Sequence, residues 1–461
     1  MSEIEEFDEI VLGGGKGGKS LALALASAGH KVALVEAGMI GGSCINVACI
    51  PTKTMVSGSK LVAEARQASR DGFSVAVKDP NLTATLKRKR HVVETMVSTH
   101  WDLFTRTSNL HFILGEGRFI AQRTIEVDTR DGKRIIKGDR VFINTGTRPL
   151  IPSYPGLDSV GYLTSTSIME LEVLPDHLLI LGGGYIALEF AQIFLRLGSK
   201  VTLIERSNRF LPREEPEIAQ SIKEILNDEG LSIKFETKIE AISRKGAEIT
   251  VDALEGGSPV KITGSHILVA TGRESNYDRL NLEAAGVAFD ERGFIKVNEK
   301  LETSAPDVYA LGDCKGPPFF THVSWDDFRI VRDNLLNGAS RTTQDRLVPY
   351  TLFVEPELGR VGLTEAEARA KGYEVLTATL PASKIPRANT SGETRGLLKA
   401  VVDKKTKAIL GASILCASGG EVVSCLQVAM LAGMPCTTLK NTVFSHPTMA
   451  ESLNLLFAGV N

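Results

Sequence analysis

Two segments of the chain share one pattern of hydrophobic and polar positions. In the first, the apolar run Ile10–Leu12 precedes a glycine cluster, the helix-like stretch Ser20–Ala28 and a second apolar run, Lys31–Val35, which Glu36 closes. The segment HLLILGGGYIALEFAQIFLRLGSKVTLIE repeats this layout and closes on Glu205. Short apolar runs bounded by glycine indicate strands, and the longer stretch between them indicates a helix. The pattern therefore predicts two β-α-β units.

The first glycine cluster matches the dinucleotide-binding pattern G-x-G-x-x-G at Gly13, Gly15 and Gly18. Gly13 permits the tight turn, Gly15 lets the backbone approach a pyrophosphate, and Gly18 lets the helix pack close to the strand. The N–H groups and the positive dipole end of the helix would then face the phosphates. We expect Glu36 to accept hydrogen bonds from a ribose.

A phosphate-binding P-loop is the rival interpretation, because the run from Gly13 through Lys19 and Ser20 also fits G-x-x-x-x-G-K-[ST]. In that interpretation Lys19 contacts phosphate and Ser20 holds magnesium. On this segment alone the two interpretations are close to even.

The second copy favours dinucleotide binding over an NTPase site. Gly182, Gly184 and Ala187 occupy the three positions of the glycine pattern. Glu205 follows at the same spacing of 23 residues that separates Gly13 from Glu36 in the first copy. The second copy also lacks the Lys-Ser or Lys-Thr pair that a P-loop requires. A repeated unit of this kind predicts two nucleotide sites.

Two dinucleotide sites in one chain suggest two cofactors, commonly a flavin and a nicotinamide. An acidic residue at Glu205 suits a free 2′-hydroxyl and hence NAD(H). Arg206 and Arg209 follow closely and would accommodate a 2′-phosphate if either swung in. The sequence therefore favours NADH over NADPH without deciding between them.

Composition limits the classes of protein to consider. A length of 461 residues suggests about three domains, and 43% hydrophobic with 23% charged residues is typical of a globular protein. A net charge of −2 gives no reason to expect a nucleic acid or an anionic membrane as partner. The sequence has no apolar stretch of membrane-spanning length and begins without a signal peptide. We therefore expect a cytoplasmic protein in a reducing compartment.

Cys44 and Cys49 stand in a glycine-rich loop, GGSCINVACIPTK, that leads into a helix. Pro51 is placed like an early helical residue, so Cys49 is expected near the helix N-terminus, where a thiolate is favoured. Cys44 is then better placed to exchange with a substrate. Two buried structural thiols or half of a zinc site are the alternatives, although zinc pairs usually have shorter spacing. The other cysteines are interpreted as ordinary buried residues: Cys314, Cys416, Cys425 and Cys436.

An acid–base candidate lies near the C-terminus, in FSHPTMAESLNLLF. His446 precedes Pro447, which can start a helix that carries Glu451. An imidazole can accept and return a thiol proton, and a carboxylate can fix its tautomer. A histidine that merely caps a helix at a packed corner is an equally good interpretation of these residues alone.

With these motifs together, the chain resembles the pyridine nucleotide–disulfide oxidoreductase family over essentially its whole length. GGSCINVACIPTK is similar to the redox-disulfide signature of that family, and GGGYIALEFA to its nicotinamide motif. TSAPDVYALGD is similar to its second flavin motif, and HPTMAE to its catalytic His–Glu end. FAD and NAD(P)H are therefore the implied cofactors.

The resemblance also implies residue roles. Cys49 would be the charge-transfer thiol and Cys44 the interchange thiol, with Lys53 and Glu189 paired beside the reactive edge of the flavin. His446 and Glu451 would act on the cysteine pair of a second copy in a homodimer. Further cofactor-binding positions are implied in the second flavin motif and in the crossover segments INTGTRP and VATGR: Gly312, Asp313, Thr145, Gly146 and Gly272.

The fold class implied is α/β, with two Rossmann-like dinucleotide-binding domains and a C-terminal α+β dimerisation domain. The FAD domain would span residues 1–150 and 275–345, the NAD(P) domain 151–274, and the dimerisation domain 346–461. Within the family, GKGGKSLA, INTGTRP and FLPREE are most similar to a bacterial mercuric-reductase-like branch linked to reactive-chlorine and metal stress. Retention of His446, where mercuric reductases carry tyrosine, and a C-terminus without a cysteine pair lead us to expect a different enzyme from those.

The function expected is electron transfer from NAD(P)H through FAD to a Cys44–Cys49 disulfide. The final acceptor would be a disulfide, a thiophilic metal ion or a related small electrophile. Dihydrolipoamide dehydrogenase is one alternative. A flavin reductase that serves quinone or oxygen without using the dithiol is another. No resident metal is expected.

Overall fold

The computed structural model describes residues 4–68, 72–75 and 82–460. Its strands are β1 Ile4–Leu12, β2 Val32–Glu36, β3 Leu110–Ala121, β4 Thr124–Thr129, β5 Gly132–Ile143, β6 Thr147–Pro149, β7 Leu163–Thr164, β8 His177–Leu181, β9 Lys200–Ile204, β10 Ser232–Lys234, β11 Thr237–Lys245, β12 Glu248–Glu255, β13 Ser258–Gly264, β14 His266–Val269, β15 Arg273–Ser275, β16 Val308–Ala310, β17 Tyr350–Leu352, β18 Glu357–Gly362, β19 Val375–Pro381, β20 Leu397–Asp403 and β21 Ile409–Cys416. Its α-helices are α1 Lys16–Ser27, α2 Ser43–Asn46, α3 Cys49–Gln67, α4 Leu82–Arg106, α5 Tyr185–Leu197, α6 Pro216–Asp228, α7 Thr321–Leu336, α8 Glu365–Ala370, α9 Pro386–Ser391, α10 Gly419–Leu431, α11 Cys436–Asn441 and α12 Ser452–Ala458.

The first of two compact units comprises Met1–Thr54, Thr83–Ile151 and Gly272–Arg346. In its main sheet, strands β3, β2, β1, β5 and β16 pair in parallel, in that order. Strand β4 pairs antiparallel with β3 and β5. The central strands are apolar on both faces because helices or loops cover each side, as is usual for parallel sheets. The carboxyl end of β1 leads directly into the first glycine cluster.

The second unit comprises Met55–Leu82, Pro152–Thr271 and Leu347–Asn461. Its first part holds a parallel sheet in the order β10, β9, β8, β14 and β7, with an antiparallel meander of β11, β12 and β13. Helix α5 follows β8 through the second glycine cluster, so both predicted β-α-β units are confirmed.

The C-terminal part of the second unit is an antiparallel sheet in the order β17, β18, β21, β20 and β19. Its apolar face packs with helices α10, α11 and α12 around a separate hydrophobic cluster. The α/β class with an added C-terminal α+β part is confirmed. The residue boundaries of the three predicted domains stay a prediction.

Three local expectations are corrected. Helix α1 begins at Lys16 rather than near Ser20, so it includes Gly18, the third glycine of the pattern. Cys425 is exposed on α10, whereas the other three cysteines outside the redox loop are buried as predicted. Glu451 is the residue before α12 rather than a member of a helix started by Pro447. Across the described ranges, no helix is long and apolar enough to cross a bilayer.

Candidate active site

The first glycine cluster forms a tight turn between β1 and α1. Gly13 has a φ of +101°, and an added Cβ there would collide with the backbone carbonyl of Asn144. A Cβ at Gly18 would collide with the carbonyl oxygen of Gly13, so only glycine lets the helix approach the strand. Gly15 precedes α1 as its N-cap and offers no side chain, which leaves the backbone open to a ligand. These are the steric conditions that dinucleotide binding requires.

The P-loop interpretation does not fit the same turn. The Ser20 hydroxyl donates to the Lys16 carbonyl at 2.7 Å instead of facing the loop. The Lys19 ammonium contacts the imidazole of His100 on α4. Both groups that a P-loop would direct at nucleotide and metal are therefore engaged by the protein itself.

Glu36 ends β2 and is buried beside the glycine turn. Its carboxylate accepts hydrogen bonds from the backbone N–H groups of Gly14 at 2.8 Å, Gly38 at 2.9 Å and Met39 at 2.8 Å. These bonds fix the side chain at the end of the strand, where a ribose would lie in a dinucleotide fold. Its predicted contact with a ribose stays a prediction.

The second flavin motif and the first crossover segment meet near the carboxyl ends of β5 and β16. Thr147 donates its hydroxyl to the Asp313 carboxylate at 3.3 Å. Burial raises the pKa of Asp313, and the nearby Arg273 opposes that shift. The hydroxyl oxygen of Thr145 is buried without a hydrogen-bond partner in the described residues.

Two crossover glycines and the motif's own glycine adopt left-handed conformations at the same place: Gly146 (φ +68°), Gly272 (φ +143°) and Gly312 (φ +71°). An orphaned buried hydroxyl and a carboxylate with spare acceptor capacity are what a polyhydroxylated chain would satisfy. The residues present therefore fit FAD: the glycine turn would hold its phosphates, and Asp313 would accept from the hydroxyls of its ribityl chain, a role that stays a prediction.

The redox loop is held against the first glycine turn. An added Cβ on Gly42, which has a φ of +86°, would lie 2.5 Å from the Gly15 Cα. Cys44 lies on the short helix α2, and Cys49 is the first residue of α3, as predicted. The Asn46 side chain donates to the Ile40 and Gly42 carbonyls at 2.9 Å and braces the loop.

The two cysteines are close enough to hydrogen-bond to each other in the reduced form. This bond, followed by burial, raises the pKa of Cys44. The Cys49 sulfur lies 3.5 Å from the hydroxyl oxygen of Thr321, the first residue of α7. Thr321 was not predicted from the sequence, because it lies 272 residues from Cys49 and belongs to no signature. Lys53 lies one turn after Cys49 on α3, and its predicted role stays a prediction.

The second glycine cluster repeats the geometry of the first in the other unit. Gly182 has a φ of +102°, and an added Cβ would lie 2.7 Å from the Ala270 carbonyl oxygen. Gly184 is the N-cap of α5, and a Cβ there would meet nothing within 4 Å, so space is open for a ligand. Ala187 is fully buried, as the third position of the pattern requires.

The acid of this second unit lies just beyond β9. The Glu205 carboxylate accepts from the Ser207 backbone N–H at 2.8 Å, while Arg206 and Arg209 are exposed. Glu189 on α5 is buried and accepts from the Phe353 backbone N–H at 3.0 Å.

His446 and Glu451 are brought together before α12. The His446 Nδ1 lies 2.9 Å and 3.0 Å from the two carboxylate oxygens of Glu451. The His446 side chain is 65% exposed, so Nε2 is free to face another molecule while Nδ1 is anchored. In the described residues, no group of three or more His, Cys, Asp or Glu side chains is placed to hold a metal ion.

Known proteins match this chain along its length. Residues 7–327 match the family described as pyridine nucleotide-disulphide oxidoreductase, and residues 348–456 match its dimerisation domain. The probable pyridine nucleotide-disulfide oxidoreductase RclA of Escherichia coli K12 is 40% identical over 459 residues, which cover 99% of each chain. A mercuric reductase of Streptomyces lividans is 36% identical over 97% of this chain and 95% of its own. The solved Cu(II) complex of the HOCl-induced flavoprotein disulfide reductase RclA from E. coli matches with a TM-score of 0.91 at 39% identity, covering 99% of each chain.

Proposed function

The chain belongs to the pyridine nucleotide-disulphide oxidoreductase family and is an FAD- and NAD(P)H-dependent oxidoreductase, and we propose that it works as a dithiol enzyme. In this proposal NADH is the preferred donor, and a Cys44–Cys49 disulfide receives the electrons. A disulfide, a thiophilic metal ion or a related electrophile is the final acceptor. Bound FAD would supply the two-electron relay between the nicotinamide and the cysteine pair.

The single observation that carries the proposal is the cysteine pair itself. Cys44 and Cys49 are within hydrogen-bonding reach on two successive helices, and Cys49 begins α3. A helix N-terminus favours a thiolate. Cys49 therefore suits the role of charge-transfer thiol, and Cys44 suits the role of interchange thiol. Six cysteines in 461 residues, four of them away from this loop, also suit a catalytic pair in a reducing compartment better than a disulfide scaffold.

Preference for NADH is supported by the acid at Glu205 and by the exposure of both neighbouring arginines. A carboxylate accepts from a ribose 2′-hydroxyl and repels a 2′-phosphate. Arg206 and Arg209 point into solvent in this structure, and a 2′-phosphate would need one of them to turn inward.

We propose that His446 and Glu451 act on the cysteine pair of a second copy. The match to a dimerisation domain supports a homodimer. The exposed imidazole is held by Glu451 through Nδ1, which leaves Nε2 to take and return a thiol proton. An imidazole that is anchored through Nδ1 and exposed at Nε2 is suited to exchange a proton with a thiol of a neighbouring subunit.

The nature of the acceptor is supported by the names of the relatives. One solved relative is a Cu(II) complex of a flavoprotein disulfide reductase, and another relative is a mercuric reductase. Thiophilic metal ions are therefore proposed as substrates beside small disulfides. A function in defence against reactive chlorine and metals follows as part of the same proposal.

The test is NADH oxidation by the wild-type protein and by Cys44→Ser, with a small disulfide, Cu²⁺ and a quinone as separate acceptors. We expect Cys44→Ser to lose turnover with the disulfide and the metal ion and to keep turnover with the quinone. Cys425→Ser is the matched control, because Cys425 is exposed and lies on α10, far along the chain from the redox loop. Full turnover of Cys44→Ser with all three acceptors would contradict the proposal and favour a simple flavin reductase.

A further inference from the structure

Lys19 is a buried cation that the proposed function does not use. It is the fourth residue of α1, is only 7% exposed, and its ammonium contacts Nε2 of His100 on α4. His100 lies against the redox loop, because an added Cβ on Gly41 would be 3.4 Å from its Cγ. The Lys19–His100 pair therefore lies where the glycine turn, α4 and the redox loop pack together.

The hydrogen bonds of His100 define where its proton lies. Its Nδ1 is 2.6 Å from the Met96 backbone carbonyl, which can only accept, so Nδ1 carries a hydrogen. In the neutral ring Nε2 is then an acceptor, and Lys19 must donate to it. The Lys19 ammonium and the His100 ring accordingly share one proton between Nζ and Nε2, and together they carry one positive charge.

A second positive charge on this pair is disfavoured. Burial, and then the charge of Lys16, lowers the pKa of Lys19 to about 8. Burial also lowers the pKa of His100, and Lys19 lowers it further. At neutral pH the pair is therefore a single buried cation rather than two.

Cys44 of the redox loop interacts electrostatically with Lys19. The positive charge of Lys19 lowers the pKa of the Cys44 thiol, and a Cys44 thiolate raises the pKa of Lys19. The hydrogen bond with Cys49 and burial act on Cys44 in the other direction. Lys16, the other cation of the same helix turn, instead lies 3.9 Å over the ring of Trp325.

We propose that Lys19 and His100 are a positioning pair that holds one positive charge beside Cys44 and so favours its thiolate once the disulfide is reduced. This inference rests on the proposed function of the cysteine pair. The two electrons that NAD(P)H supplies through FAD break the Cys44–Cys49 bond and leave both sulfurs as thiolates, and the positive charge of the pair opposes protonation of the Cys44 thiolate. That thiolate can then attack an acceptor disulfide and form a mixed disulfide with one acceptor sulfur, while the other acceptor sulfur leaves with the electron pair of the broken bond.

The experiment measures the ionisation of Cys44 directly. We would alkylate the FAD-loaded protein with iodoacetamide over about pH 5–10 and quantify the Cys44 peptide by mass spectrometry. The background carries Cys49→Ser and Cys425→Ser, which leave Cys44 as a free thiol and remove the exposed competing cysteine. Only the thiolate reacts, so the pH midpoint of the rate reports the pKa of Cys44.

Adding Lys19→Met is expected to raise that midpoint by about one unit or more, which slows alkylation roughly tenfold below the midpoint. Lys19→Arg is expected to keep the original midpoint, because it keeps the charge. Lys16→Met is the matched control: it removes an equal charge from the same turn, but that charge acts on Lys19 rather than on Cys44, so no rise in the midpoint is expected. His100→Leu is a second, independent variant, expected to raise the midpoint because Lys19 loses its acceptor.

Unchanged midpoints in both Lys19→Met and His100→Leu would overturn the inference, and so would an equal rise in Lys16→Met. A failure of the proposed function gives a different result. In that case Cys44→Ser keeps full turnover with every acceptor, whereas the alkylation midpoints still decide whether the pair acts on Cys44.

Discussion

Replacement of Lys19 by methionine is predicted to stabilise the folded protein at neutral pH. Lys19 is buried with a positive charge, and the desolvation of that charge opposes folding. Methionine has similar length and removes the charge. A residue that lowers stability and lies beside the redox loop is typical of a functional site.

The size of the effect follows from the pKa of Lys19, which falls from an ordinary 10.5 to about 8 in the folded protein. A difference of this size corresponds to about 3 kcal/mol at about 1.36 kcal/mol per unit. The variant leaves Nε2 of His100 without its donor and gives back part of this gain, about 1 kcal/mol. We therefore expect the free energy of unfolding to rise by about 2 kcal/mol at pH 7.

The pH dependence has a defined sign. Because the pKa of Lys19 is lower in the folded than in the unfolded protein, the unfolded chain binds more protons between about pH 8 and 10.5. The wild-type protein thus gains stability relative to Lys19→Met as the pH rises through this window. Below about pH 8 Lys19 is protonated in both the folded and the unfolded protein, so its own titration adds no further pH dependence there.

Urea unfolding of the FAD-loaded wild-type, Lys19→Met and Lys404→Met proteins at about pH 7, 8, 9 and 10 tests this reasoning. The curves of wild type and Lys19→Met should converge with pH, whereas those of wild type and Lys404→Met should stay parallel, because Lys404 is exposed and distant from Lys19 in the sequence. A Lys19→Met protein less stable than wild type at pH 7, or a gap independent of pH, would refute it.

Three further predictions concern other parts of the molecule. Lys399→Met should cost about 3–5 kcal/mol in urea unfolding, because the buried ammonium pairs with three carboxylates within 3 Å; exposed Lys404→Met should change stability by less than about 0.5 kcal/mol. Gly13→Ala should lose FAD, measured as the flavin-to-protein absorbance ratio, because its Cβ would hit a backbone carbonyl; Gly29→Ala has a similar φ of +95° but open space, and should retain flavin. Glu205→Ser should raise the KM for NADH several-fold and lower that for NADPH, and an unchanged KM ratio would contradict the assignment of the NADH ribose site.

The parts of the fold that were predictable are those encoded locally. The equal spacing of glycines and acids was enough to predict both β-α-β units. This signal is local because the turn after each strand passes so close to a neighbouring backbone that Gly13 and Gly182 have no room for a Cβ. Pro51 similarly indicated that Cys49 lies at a helix start, and α3 begins there.

Contacts between residues distant in the sequence were not predictable. His100 meets Lys19 across 81 residues, and Thr321 meets Cys49 across 272, with no spacing pattern to connect either pair. Cys425 is exposed although its neighbours in the sequence are apolar, because apolar neighbours do not determine which face of a helix a residue occupies. On α10, Val422 and Leu426 face the core, whereas Cys425 does not.

The proposed function requires the cysteine pair to exchange electrons with the flavin. Anaerobic titration of the purified protein with NADH, followed by its visible spectrum, tests it most directly. We predict a long-wavelength band from the Cys49 thiolate to the flavin before the flavin bleaches, and loss of this band in Cys49→Ser. Bleaching of the flavin without that band in the wild-type protein would show that the cysteines are not coupled to it and would contradict the account.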